Sequence, residues 1–165
     1  VVLIFLITHS TLKIKAMKKR FVILMAVCLL TITSSFAGPA EGSIPPSVVS
    51  DFSSHFYQAR NVKWEKIDGY YEVSFSQFGT TLFAFYSEDA DFMGIGNYIL
   101  SNKLPEALSS ELKTKFSNYW ISDLFRYLVN DQPGYCVTLE NGDHRIILKS
   151  EGSQGWSLYK SVKKS

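Results

Sequence analysis

Two cysteines and three histidines in 165 residues are too few for either a disulfide scaffold or a cluster of soft metal ligands. Cys28 lies inside an apolar run near the start, so the remainder of the chain keeps only Cys136. The expectation is a buried, inert thiol with no internal disulfide, in a body stabilised by packing. Five prolines exclude collagenous and proline-rich low-complexity classes. Positive charge is also missing where it would matter. Residues 1–37 hold Lys13, Lys15, Lys18, Lys19 and Arg20 and no acid; without them 12 Lys+Arg face 15 Asp+Glu, a net charge of −3. Counterion release from a polyanion needs the opposite balance, which argues against a nucleic-acid partner.

Catalytic signatures are equally sparse. There is no Gly-x-Ser-x-Gly elbow, no phosphate-cradling Gly-Lys-Ser/Thr and no dinucleotide fingerprint. His55, His144 and Cys136 are far apart in sequence. Glu88, Asp89 and Asp91 fail the calcium-loop pattern, which would need an oxygen ligand at Met93 and Glu at Leu100. The chain is therefore expected to be no enzyme, with no catalytic residues, no metal site and no cofactor.

What is present begins with an address. Met17 is followed by Lys18-Lys19-Arg20, an apolar stretch from Phe21 to Phe36, and the small residues Ala37-Gly38-Pro39-Ala40. That is the order of a secretory signal, cleaved after Ala37, or alternatively after Ala40. The expected organisation is a mis-called upstream extension over 1–16, with Met17 as the start, a signal peptide over 17–37, a linker over 38–45 and a folded domain over 46–165. Location is then periplasmic or secreted, with no membrane association after cleavage.

Val48, Val49, Phe52, Phe56 and Tyr57 recur at helical spacing after Pro45-Pro46-Ser47, with Ser47 as the expected cap. The period then changes to two. Strands are expected at Val62–Ile67, Tyr70–Phe75, Thr80–Tyr86 and Phe92–Ile99, turned by Asp68-Gly69, Gln77–Gly79 and Glu88–Asp91. A second helix opens at Leu104-Pro105-Glu106. Strands follow at Ile121–Val129, Tyr135–Leu139, His144–Leu148 and Trp156–Lys160, with turns at Asp131–Gly134 and Asn141-Gly142. The chain thus reads as two similar units, about 46–100 and 104–161. The fold class is α+β: tandem helix plus antiparallel β-meander repeats, with both helices on one face of a shared sheet.

Asn61-Val62-Lys63-Trp64-Glu65-Lys66 leading into Asp68-Gly69-Tyr70-Tyr71-Glu72-Val73, and Tyr135-Cys136-Val137-Thr138-Leu139-Glu140-Asn141-Gly142, resemble the secreted PepSY-like proteins of Bacteroidetes. These are grouped by fold with the β-lactamase inhibitory protein. The resemblance covers about residues 46–162. It implies tandem helix–meander units and an envelope or secreted location, and it supplies no activity. One departure is the third turn, Asp89-Ala90-Asp91, where such sequences have Asp-Gly.

Aromatic residues are abundant, 21 of the 128 after Ala37. Alternation sends Tyr71, Val73 and Phe75 under the helices and leaves Tyr70, Glu72 and Ser74 opposite, a face expected also to show Trp64 and Tyr86. Aromatics among charges suit partner binding, so Trp64, Tyr70, Glu72 and Tyr86 are the candidate contact residues. The expected function is a secreted, non-catalytic binding module for an envelope protein or peptide, conceivably a hydrolase-inhibitor-like one; the alternative is an accessory envelope protein without a specific ligand. Oligomeric state is left open.

Overall fold

A computed structural model describes residues 44–164. The upstream extension, the signal segment and nearly all of the linker lie outside the described residues. The element order is α1 (Pro46–His55), β1 (Arg60–Ile67), β2 (Tyr70–Gln77), β3 (Thr80–Ser87), β4 (Phe92–Tyr98), a 3-10 turn (Ser101–Lys103), α2 (Glu106–Lys115), β5 (Trp120–Val129), β6 (Gln132–Glu140), β7 (His144–Glu151) and β8 (Ser157–Lys163). All eight strands form one antiparallel sheet whose spatial order is the sequence order. Ile95–Tyr98 of β4 pairs with Phe125–Leu128 of β5, joining the two halves.

Both helices start behind a proline whose fixed φ suits a first turn. Pro45 caps α1 through its carbonyl, which accepts from the Val48 and Val49 amides; no side chain caps this end, so Ser47 lies inside the helix. Pro105 does the same for α2, accepting from Ser109. Val48 and Phe52 of α1 are buried against Tyr71, Val73, Phe75, Ala84 and Tyr86. Phe52 meets Trp64 and Phe75 edge-on, at 5.3 and 5.1 Å between ring centres. Each such ring pair contributes about 0.5–1.5 kcal/mol beyond area burial. Leu112 of α2 packs on Leu124, Val137, Leu139, Ile146 and Leu148. Leu124 shares a face of β5 with Leu128, the partner of Ile95 beneath α1, so both helices cover the same side. Trp156 ties the β7–β8 connection to α2, its indole N–H donating to the Leu108 carbonyl at 2.9 Å and its amide to Glu111 Oε2 at 3.0 Å.

The turns follow their φ requirements unevenly. Gly69 takes φ 84 after Asp68, as a two-residue hairpin allows. The β5–β6 turn is Asn130-Asp131, at φ 51 and 61, rather than the expected Asp131–Gly134. Pro133 and Gly134 belong to β6, opposite Leu128 and Tyr127. Asn141 closes the β6–β7 loop, its Oδ1 accepting from the amides of Asp143 and His144. In the third turn Ala90 adopts φ 65, so the left-handed geometry survives without the glycine. Ala there crowds its Cβ against the following carbonyl, at a cost of about 1 kcal/mol. Ala90→Gly is expected to raise stability by about that amount, read as a shift in urea midpoint at unchanged slope.

The last strand is held at its end by charge. Lys164 Nζ lies 2.7 Å from Glu140 Oε2, and Arg145 Nη2 is 2.7 Å from Oε1. The hydrogen bond from Lys164, followed by that from Arg145, holds the Glu140 carboxyl down at about 2. Lys164 also sits 5.0 Å over the Trp120 ring. Cys136 is buried and disulfide-bonded rather than the free thiol expected. The expectation counted only the cysteine that follows Ala37.

Candidate functional site

With both described helices on one side, the opposite sheet face is the one that no helix among the described residues covers. Its side chains come from alternate positions: Glu65 of β1, Tyr70, Glu72 and Ser74 of β2, Phe83 and Phe85 of β3, Tyr98 of β4, and Asp123, Phe125 and Tyr127 of β5. Tyr70, Phe85, Phe125 and Tyr127 belong to one buried cluster with Met93, Val129, Cys136 and Ile147. Glycine makes room for these rings. A Cβ on Gly96 would run into the Phe125 ring and, at 2.7 Å, the Arg126 carbonyl oxygen; one on Gly134 would run into the Tyr127 ring. The aromatics therefore lie down on the backbones of β4 and β6 instead of standing up from the sheet.

At the near edge of this cluster Phe83, Tyr98 and Phe125 form an edge-to-face triad, with centroids 5.6, 5.7 and 5.1 Å apart. Tyr98 is 49% exposed. Carboxylates fringe it. Burial, then Asp123, then Glu72 push the Tyr98 hydroxyl up. Glu65 stands directly across from Glu72. Like charges opposed in an antiparallel pair repel, and Glu72 is pushed up to about 7, mainly by burial and secondly by Glu65. Burial and then the neighbouring Glu72 likewise raise the Tyr70 hydroxyl.

The candidate contact residues do not share this surface. Tyr70 and Glu72 are on it, with Tyr70 almost fully buried at 1% exposure. Trp64 and Tyr86 are on the helix side. The two-residue hairpin sets Trp64 opposite Val73 and Tyr86 opposite Tyr71, and directly opposed residues point the same way. Trp64 packs on Phe52, and Tyr86 is fully buried, 6.2 Å from Trp64 and 5.5 Å from Phe92. Tyr98, Phe83, Phe125 and Asp123 join this surface without being among the sequence candidates. Counting outward from the Asp68-Gly69 and Phe78-Gly79 turns would have placed Trp64 and Tyr86 correctly, and the Gly94-x-Gly96 spacing signals a strand over which large rings can lie.

Among the described residues no three His, Cys, Asp or Glu side chains are grouped to hold a metal ion. His55 ends α1, its Nδ1 2.9 Å from the Asp51 carbonyl oxygen and its ring stacked on Phe92. Glu88 of the acidic turn pairs with Lys66 at 3.6 Å. No helix among the described residues is long and apolar enough to cross a membrane.

Among the described residues, an eight-stranded antiparallel meander with two helices on one face has an α+β, BLIP-like fold. No protein-family model matches the chain, and no curated protein matches it. Solved structures do. A DUF2874 family protein from Bacteroides uniformis is similar with a TM-score of 0.63 at 13% identity, over 72% of this chain and 88% of that one. A second DUF2874 protein, from Bacteroides ovatus, gives 0.62 at 17% identity, over 72% and 86%. A BLIP-like protein from Bacteroides fragilis gives 0.57 at 16% identity, over 78% and 89%. A similar structure from Bacteroides eggerthii, TM-score 0.63 at 14% identity over 72% and 88%, is provisionally described as periplasmic. At these identities the likeness is one of fold.

Proposed function

We propose that the chain is an exported, non-catalytic binding module that holds a protein or peptide partner against the sheet face opposite the two described helices, in the manner of an inhibitor rather than an enzyme. The observation that carries this reading is the half-exposed Tyr98, backed by Phe83 and Phe125 and fringed by Asp123 and Glu72. An aromatic anchor amid acidic groups suits a partner presenting aliphatic and basic side chains. Of the sequence candidates, Tyr70 and Glu72 stay in the contact set. Trp64 and Tyr86 hold α1 in place behind it. The BLIP-like and DUF2874 likenesses support the architecture, and the structure provisionally described as periplasmic supports the location.

A duplicated unit fits the same reading. Each half begins with a proline-capped helix, its last turn closed by Phe56 or Phe116, whose amides donate to Phe52 and Leu112. Each first strand shifts register near its start, at Arg60/Lys63 and Ile121/Asp123, and each third strand shifts again, at Phe85/Tyr86 and Ile147/Leu148. Two unrelated units would have no reason to bulge at corresponding places.

The test is affinity capture from envelope extract with mass spectrometry, using the native chain, a Tyr98→Ala/Glu72→Lys variant and a helix-side control, Val49→Ser. The reading expects a protein retained by the native chain and the control and lost by the face variant. Equal capture by all three, or none by any, favours an accessory role without a specific ligand. Export is read by intact mass of the recovered protein. Cleavage after Ala37 predicts a mature chain that begins at Gly38, whereas an N-terminus upstream of Phe36 overturns it.

A further inference from the structure

A second feature lies apart from that face, at the end of the sheet where α1 runs into β1 and the β2–β3 hairpin turns. Tyr57, Gln58, Arg60, Ser76 and Phe78 line an open cleft of about 640 Å³. Phe78 is 85% exposed and Tyr57 79%, the two most exposed large apolar side chains among the described residues. Phe78 and Gly79 form a two-residue turn with φ 51 and 78. That turn type wants Asn-Gly. A phenylalanine in the left-handed region is strained, and its ring gains no burial in return. Packing therefore does not account for this residue at this position.

The polar groups beside it are arranged for hydrogen bonding. Gln58 Nε2 donates to the Tyr57 hydroxyl at 3.3 Å, which steadies that ring and leaves the amide oxygen to accept from a ligand. Arg60, paired across to Ser76, forms no ion pair among the described residues. A guanidinium left in this state offers two parallel donors to a carboxylate. Flat rings at a rim with planar polar side chains between them suit a pyranose, whose axial C–H groups stack on an aromatic face while its hydroxyls bond to amide and guanidinium groups. Within the cleft β1 and β2 pair with each other, Arg60 opposite Ser76, and the free backbone row of the edge strand β1 faces away from β2, so the groups that the cleft itself offers are side chains.

We infer that the Tyr57–Arg60–Phe78 cleft is a binding site for an acidic saccharide, with a sugar ring stacked on Phe78 or Tyr57 and its carboxylate held by Arg60. The probes are immobilised oligosaccharides ending in galacturonate, glucuronate or sialic acid, with neutral galactose and glucose oligomers beside them, followed by calorimetric titration of whichever acidic one binds. Arg60→Gln is expected to weaken that binding about 10-fold, as loss of a charge-assisted hydrogen bond does, and to leave any binding of neutral oligomers unchanged. Phe78→Asn is expected to weaken acidic and neutral ligands alike about 10-fold while raising the melting temperature by about 2–4 °C, because asparagine tolerates this turn. That pair of opposite effects separates a ligand platform from a structural residue. Binding to none of the acidic oligosaccharides overturns the inference, as does undiminished binding by Phe78→Asn. Retention of an acidic peptide in an Arg60-dependent way, with no saccharide bound, also overturns it and assigns the cleft to peptides.

Discussion

Gly96→Ala is expected to destabilise the protein by about 3 kcal/mol, at the upper end of what overpacking costs, because two neighbours block the new methyl at once. One is the Phe125 ring, which could swing only into Phe83 or Tyr98; the other is the Arg126 carbonyl, fixed by the β4–β5 pairing. For a domain of this size that corresponds to a melting temperature lower by about 10 °C. The double variant Gly96→Ala/Phe125→Leu separates the two causes. If the ring is the main obstacle, the pair is less destabilised than the sum of the singles, since the smaller side chain vacates part of the space. Strict additivity would mean that the backbone oxygen alone sets the cost, and a Gly96→Ala protein as stable as the native one would mean that the rings do not lie on β4.

Glu72→Gln is expected to act in the other direction, and only above acid pH. Folding raises the Glu72 carboxyl from its ordinary 4.5 to about 7, by burial and then by the opposed Glu65. Between those two values the unfolded chain has released the proton and the folded chain still holds it. Stability therefore falls as pH rises through that window and stays at the lower level above it. The full difference would be about 3 kcal/mol by linkage; allowing for partial solvent access, about 2 kcal/mol is the expected loss. Glutamine carries no charge at any of these pH values. The variant should match the native protein near pH 4, exceed it by about 2 kcal/mol at pH 8, and lack the decline between. Urea titrations at the two pH values check this. A native curve that is flat from pH 4 to 8 would show that the carboxylate is solvated after all. A folded domain that keeps a repelled carboxylate on an aromatic face gives up stability there.

Much of the architecture can be read from local chemistry. Val48, Phe52 and Phe56 at helical spacing behind Pro45-Pro46, and Asp68-Gly69 between two alternating runs, lead directly to α1 and the first hairpin. The β-branched and aromatic residues of Ile121–Val129 point to a strand, and the pairing of Trp120–Val129 with β4 and β6 agrees. The β5–β6 turn was misplaced because Pro133-Gly134 carries a stronger turn signature than Asn130-Asp131. Tertiary packing overrode it, since Gly134 is needed under Tyr127. The site was less legible. Alternation gives the two faces of a strand but not which face a neighbouring strand shares, and Trp64 and Tyr86 were assigned without their register. Tyr98 and Asp123 reach the Glu72 side only through the β4–β5 junction, which pairs residues 27 to 33 positions apart and leaves no local trace.

Because the spatial order of the strands repeats their order along the polymer, no segment must be held open for a mate that arrives much later. A chain delivered from its amino end can close one hairpin after another, and each new strand meets an edge that is already built. The unmatched backbone of the growing rim is then exposed only for the time needed to deliver some ten to thirty further residues. That brevity is itself a safeguard against misassembly.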